Sequence, residues 1–231
     1  MKFVGLRAAI IATTTVLVVG GTGCSTTERA VPLSSAGVIF EKPVKTWCDF
    51  RDRNIAVQGS DYSCGSAALT TLMRYYFKDS VSEDKVLKQL WNQMSPEDRK
   101  DRKKNGFTLL DLQKAAVGMG YQAVGLRPTF RELKELTDNG PILIHVVSNG
   151  QKHFAILKGV REDRLYLADP TRGNIRLSLE DFSEEWATGT ALVLGKQGFG
   201  TPTDHLLAIK DESPIRNEIE TTRKRLFIRN R

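Results

Sequence analysis

The feature that most constrains this chain is a change in its apolar periodicity near residue 140. Before that point apolar residues recur at helical spacing, and after it they alternate. Cys64–Phe77 places Ala68, Leu72, Met73 and Tyr76 on one stripe with Leu69 beside it, which predicts a helix with one buried face. Ser82 precedes Val86, Leu87 and Leu90 as a cap residue, so a second helix is expected through about Met94. Ser95-Pro96-Glu97 joins a cap to proline at the first helical position and opens a short, charged helix. Thr108 starts another over Leu109–Val117, stopped by Gly118 and Gly120, and Thr129–Leu136 reads as one more.

From Pro141 onward the segments read as strands: Pro141–Val147, Phe154–Val160, Leu165–Asp169, Ile175–Leu179 and Ala191–Leu194. Asn149-Gly150 is a turn between the first two, and a short helix is expected around Glu180–Trp186. Val38–Phe40 and Asn54–Val57 read as short extended pieces. Helices first and a mostly antiparallel sheet second predict an α+β fold rather than a doubly wound one. Gly118-Met119-Gly120 follows a helix, the wrong context for a dinucleotide fingerprint, and no nucleotide-binding loop or internal repeat is present. No cofactor and no metal are expected.

The N-terminus reads as an address. Lys2 and Arg7 precede an apolar run, Ala8–Gly20, which is too short for a stable membrane span and has the shape of a signal peptide over residues 1–23. Gly21-Thr22-Gly23-Cys24 resembles a bacterial lipobox, which implies lipid on Cys24, a tether over residues 24–36 and a main domain over residues 37–196. Residues 197–231 read as a partly helical extension. The expected location is the periplasmic face of a Gram-negative envelope, with the membrane reached through the lipid. The 231 residues carry a formal charge of +7, two units of it from Lys2 and Arg7, and much of the rest lies at 99–104 and 216–231. That excess is too modest to name nucleic acid as a partner.

With Cys24 assigned to lipid, Cys48 and Cys64 remain. Cys64 opens an apolar helix, where unpaired N–H groups and the helix dipole favour a thiolate, so a depressed pKa is expected. Gly65 is expected to leave room for a substrate backbone. Cys48, beside Trp47 and Phe50, reads as a packed, inert thiol, with a labile Cys48–Cys64 disulfide acting as a redox brake as the alternative. Of three histidines, His153 begins a strand just past a turn, whereas His145 reads as a sheet-face residue and His205 lies in the tail. Asp169 ends the next strand, where its carboxylate can orient an imidazole on the neighbouring one. Gln58, six residues before Cys64, is placed to donate to a developing oxyanion together with the Cys64 N–H.

Gln58, Cys64-Gly65-Ser66-Ala67, His153-Phe154-Ala155-Ile156 and Asp169-Pro170, in this order, resemble the C39 family of bacteriocin-processing, double-glycine peptidases. The resemblance covers roughly Val57–Leu194 and implies a papain-like cysteine peptidase fold. It implies Cys64 as nucleophile, His153 as base, Asp169 as its orienting partner and Gln58 as oxyanion donor. Ser63 stands where the family usually has aspartate. With no transporter segments, the chain is similar to stand-alone exported members, such as those of functional-amyloid secretion systems. The expected function is limited proteolysis of an exported amyloid- or bacteriocin-type polypeptide, after a Gly-Gly pair, with secretion or amyloid-assembly partners. A peptide-binding or secretion-assembly lipoprotein without turnover is the second reading, and an acyl-transferring amidase or transglutaminase the third.

Overall fold

A computed structural model describes residues 29–35, 38–44 and 46–209. The segment expected to be a signal peptide, Cys24 and the chain beyond residue 209 lie outside the described residues. The chain divides after Val44 into two units. In the first, β1 (Arg29–Ser35) and β2 (Val38–Val44) pair antiparallel, Arg29 opposite Val44. Part of the stretch read as a tether is therefore a strand.

The second unit opens with α1 (Trp47–Arg51), then α2 (Cys64–Tyr75), α3 (Glu83–Asn92), α4 (Pro96–Asn105) and α5 (Leu109–Gly118). Three of these begin where the caps predict. The hydroxyls of Ser82, Ser95 and Thr108 accept N–H groups of Lys85, Asp98 and Asp111, satisfying donors the helix itself leaves open. β3 (Gln122–Leu126) and α6 (Phe130–Asp138) follow, then β4 (Ile142–Ser148), β5 (Gln151–Arg161), β6 (Arg164–Asp169), β7 (Gly173–Ser178), α7 (Leu179–Glu185) and β8 (Ala191–Gly195).

One six-stranded antiparallel sheet runs in the order β3-β8-β4-β5-β6-β7. Asn149 and Gly150 both take positive φ, 52° and 75°, the signature of the tight hairpin turn joining β4 to β5. Alternation sends Leu143, Phe154, Ile156 and Ala168 to one face, under Leu69, Leu72 and Met73 of α2, Val86 and Leu90 of α3 and Leu112 of α5. Ile144, Val146, Ala155, Leu157 and Leu167 face the other way, under Leu133 of α6 and Phe182 of α7. The fold is α+β as expected, with helices covering both faces. β3 is an addition to the expected elements. Asn54–Val57, read as extended, joins no sheet.

The described residues after β8, up to 209, pack onto this unit. Phe199 packs its ring 5.0 Å from that of Phe77, Leu207 is buried, and the Leu206 N–H donates to the Tyr75 carbonyl at 3.2 Å. His205 is likewise buried, its ring edge-on to Tyr76. No helix among the described residues is long and apolar enough to cross a membrane.

Candidate active site

The site begins with how α2 starts. Ser63 is the N-cap residue, yet its hydroxyl turns back to the preceding loop, donating to the Ser60 carbonyl at 2.9 Å and accepting the Ser60 N–H at 3.1 Å. No side chain caps the helix, so its first-turn N–H groups are left to face the Cys64 thiol. Ser66 secures the turn from behind, its hydroxyl 2.8 Å from the Ser63 carbonyl and 3.1 Å from Glu83 Oε1. Gly65 faces inward: a Cβ there would lie 3.0 Å from Leu112 Cδ2 and 3.2 Å from Phe154 Cδ2. Its role is close packing of α2 on β5, not the room for substrate expected of it.

Cys64 is the first residue of α2, 7% exposed and free of any disulfide. Burial pushes its thiol pKa up, against main-chain hydrogen bonds from Phe154, Gly65 and its own residue, and the nearby Asp169 charge pushes the same way. This corrects the expectation of a depressed value. The helix terminus favours a thiolate, but burial beside a carboxylate outweighs it.

His153 and Asp169 are brought together directly. His153 Nε2 lies 2.8 Å from Asp169 Oδ2, with the imidazole 11% exposed and the carboxylate fully buried. The register pairs Ile156 with Ala168, which sets His153 and Asp169 as diagonal neighbours at one end of β5 and β6. Asp169 Oδ1 accepts the main-chain N–H groups of Thr171 at 2.8 Å and Arg172 at 3.0 Å, and Oδ2 also accepts Arg172 Nε at 2.7 Å. Burial opposes the charge, but His153 and Arg172 outweigh it and hold the carboxyl at about 2. An ionised Asp169 can only accept, so His153 donates to it through Nε2, and Nδ1 is the ring nitrogen left for chemistry.

Gln58 enters through the same turn: the Thr171 hydroxyl donates to Gln58 Oε1 at 3.2 Å. The Gln58 oxygen is thus occupied while its NH₂ group is left to donate. Cys64 and His153 meet through Phe154, whose side of the strand touches the thiol while its predecessor holds Asp169. Among the described residues no hydrogen bond joins thiol and imidazole directly. His145 behaves as a sheet-face residue, its ring 5.0 Å from that of Phe154. No group of three or more His, Cys, Asp or Glu is placed to hold a metal among the described residues.

One expectation fails at α1, and one residue of the turn after Asp169 was not foreseen. Cys48 is disulfide-bonded rather than a packed free thiol, and its neighbours Trp47 and Phe50 are exposed, so α1 is no apolar niche. Arg172 was not legible at all. It reaches past Asp169 to pair Nη1 and Nη2 with Glu185 Oε1 and Oε2 at 2.7 and 2.8 Å, with Ser148 Oγ at 3.1 Å from Nη1. Gly173 closes the turn at φ 85°, where a Cβ would strike Arg51 of α1.

A cysteine opening a helix that lies on an antiparallel sheet, served by a histidine–aspartate pair at the sheet end, defines a cysteine peptidase of papain-like fold. The chain belongs to the peptidase C39 family, whose model matches residues 52–198. It is 31% identical over 169 residues to a probable functional amyloid protease, FapD, of Pseudomonas fluorescens, covering 73% of each chain. The protein of that name in Pseudomonas aeruginosa is 28% identical over 200 residues, 84% of each. The solved peptidase domain of Streptococcus ComA, a bi-functional ABC transporter, shares the fold with a TM-score of 0.52, over 62% of this chain and 98% of that domain, at 23% identity.

Proposed function

We propose that this cysteine peptidase performs limited proteolysis of an exported, amyloid-type polypeptide, with Cys64 as nucleophile. The observation that carries the reading is the pair of consecutive residues on β5: His153 bonds Asp169, and the main chain of Phe154 bonds the Cys64 thiol. His153 Nδ1 takes the thiol proton as sulfur attacks the scissile carbonyl, so the base acts during attack rather than holding a preformed ion pair. Oxyanion charge is met by the Cys64 N–H and the Gln58 NH₂. The imidazolium then gives its proton to the leaving amine, and water hydrolyses the thioester to release the second product. Asp169 holds the tautomer and stabilises the imidazolium.

The substrate class is supported by relatives that carry the name functional amyloid protease. The C39 resemblance supports a Gly-Gly pair ahead of the scissile bond. Export, a lipid on Cys24 and a periplasmic membrane face complete the proposal, resting on Lys2, Arg7, the run Ala8–Gly20 and Gly21-Thr22-Gly23-Cys24. The test compares the termini of exported proteins from wild-type and Cys64→Ala cells. A polypeptide that accumulates uncut only in the variant supports the reading, and identical termini oppose it. Intact mass of the N-terminal peptide decides the anchor: lipid on Cys24 supports it, and an unmodified Cys24 opposes it.

A further inference from the structure

The side chain of Arg172 is half-buried at the base of the site, yet it touches neither Cys64 nor Gln58. Its five donors are nearly all committed. Nε bonds Asp169 Oδ2 at 2.7 Å, and the two terminal nitrogens grip both oxygens of Glu185 at 2.7 and 2.8 Å. Glu185 is the last residue of α7, a helix fixed to the sheet by the fully buried Phe182. Ser148, the last residue of β4, bridges this pair, its Oγ accepting from Arg172 Nη1 at 3.1 Å and donating to Glu185 Oε1 at 3.2 Å. A paired fork of this kind sets direction as well as charge, which a lysine in its place would not do.

We propose that Arg172 and Glu185 are positioning residues of the peptidase: the Glu185-held guanidinium fixes the direction of the Asp169 carboxylate, and through it the His153 ring. This rests on the assignment of His153 and Asp169 above. The need for such a device follows from the geometry. Asp169 sits at the start of a tight turn, Pro170–Arg172, and its Oδ2 receives both His153 Nε2 and Arg172 Nε. With Arg172 unanchored, Oδ2 would have one partner fewer and the turn one tie fewer. A shift of about 1 Å in the imidazole is enough to cost catalysis roughly 100-fold. Burial works against the guanidinium charge, but Glu185 and Asp169 more than restore it, so the fork stays cationic.

The groups that set the charge at Asp169 are His153 from β5, Cys64 from α2, Arg172 from its own turn and, one step out, Glu185 from α7. Removing the Arg172 cation raises the carboxyl's own proton affinity and lets its negative charge act more fully on His153. Both effects move the acidic limb of the pH–rate profile upward. A role in packing alone would leave that limb where it is.

The experiment uses the full chain and a peptidyl acyloxymethyl ketone ending in Gly-Gly, which reports maximal inactivation rate (kinact) and half-saturation (KI) separately. Arg172→Gln and Glu185→Gln are expected to lower kinact roughly 10–100-fold with KI within about twofold. The limb should move upward in Arg172→Gln. Arg172→Lys, which keeps the charge but not the fork, should leave the limb in place and recover only part of the rate. Should Arg172→Gln fail to fold, Glu185→Gln and Arg172→Lys carry the same comparison. Unchanged kinact and limb in folded variants would overturn the proposal. Cys64→Ala run alongside separates the two levels: loss of labelling there with unaffected Arg172 and Glu185 variants defeats only this inference, whereas labelling that survives Cys64→Ala defeats the site assignment itself.

Discussion

His153 Nε2 stands 2.8 Å from Asp169 Oδ2, and each Asp169 oxygen already takes a second donor from the turn that follows, so the carboxylate is saturated by four hydrogen bonds. An amide in its place cannot satisfy this arrangement in either orientation. Its NH₂ group would face the His153 and Arg172 side-chain donors in one, and the Thr171 and Arg172 main-chain donors in the other. Asp169→Asn is therefore expected to lower kcat by roughly 10²-fold or more, a larger loss than an amide acceptor suggests from sequence. Steady-state kinetics beside a melting curve separates the catalytic loss from any loss of fold.

The same carboxylate sets an acid limit on stability. Its folded pKa, about 2, lies below the ordinary value of 3.8. Between those values the unfolded chain binds the proton more readily, so this contribution is fully present above about pH 4 and is lost as pH falls through about 2. It amounts to roughly 2 kcal/mol. Urea unfolding between pH 5 and pH 2 should show that loss in the wild type and a shallower one in Asp169→Asn.

Thiol chemistry follows the direction of the Cys64 shift. Because burial raises its pKa, alkylation of the resting protein by iodoacetamide should be slow at neutral and mildly acidic pH and rise only on the alkaline side. Peptide mapping across pH 5–10 checks this. Rapid labelling of Cys64 at pH 5 would mean a preformed thiolate after all.

Gln58 and its partner should differ in size of effect. Gln58→Ala removes a proposed oxyanion donor and is expected to cost roughly 10²–10³-fold in kcat. Thr171→Val removes only the hydroxyl that holds Gln58 Oε1 at 3.2 Å, so a smaller loss in kcat with little change in KM is expected. Equal losses would place Gln58 outside the oxyanion site.

Gly65 gives a packing test. Alanine there brings a methyl within 3.0 Å of Leu112 and 3.2 Å of Phe154, so α2 must lift or Leu112 must turn. A loss of about 1–3 kcal/mol in stability is expected, together with reduced activity, since Cys64 and Phe154 are parted by the same movement. Chemical denaturation and kinetics on one preparation read both.

What the sequence reveals of this fold is local. Ser82, Ser95 and Thr108 announce their helices because a cap and the N–H it receives lie three residues apart. Asn149-Gly150 announces its hairpin because few residues accept two positive φ values. β3 escapes notice because Gln122–Leu126 is a largely exposed edge strand containing Gly125, without a clean alternation. The histidine–aspartate pair is readable from strand ends. The Arg172–Glu185 fork is not, because it joins a turn to the end of a helix thirteen residues on, a relation no local pattern encodes. The direction of the Cys64 shift also needs the fold, since only burial by α2 and β5 decides it against the helix terminus.

The central claim is that Cys64 is the nucleophile and His153 its base. The most direct measurement is mass spectrometry of the full chain after reaction with the Gly-Gly acyloxymethyl ketone, followed by peptide mapping. The account predicts a single adduct on the peptide carrying Cys64, absent in Cys64→Ala and formed far more slowly in a folded His153→Ala variant. An adduct on any other residue, or on Cys64 at an unchanged rate without His153, would contradict it.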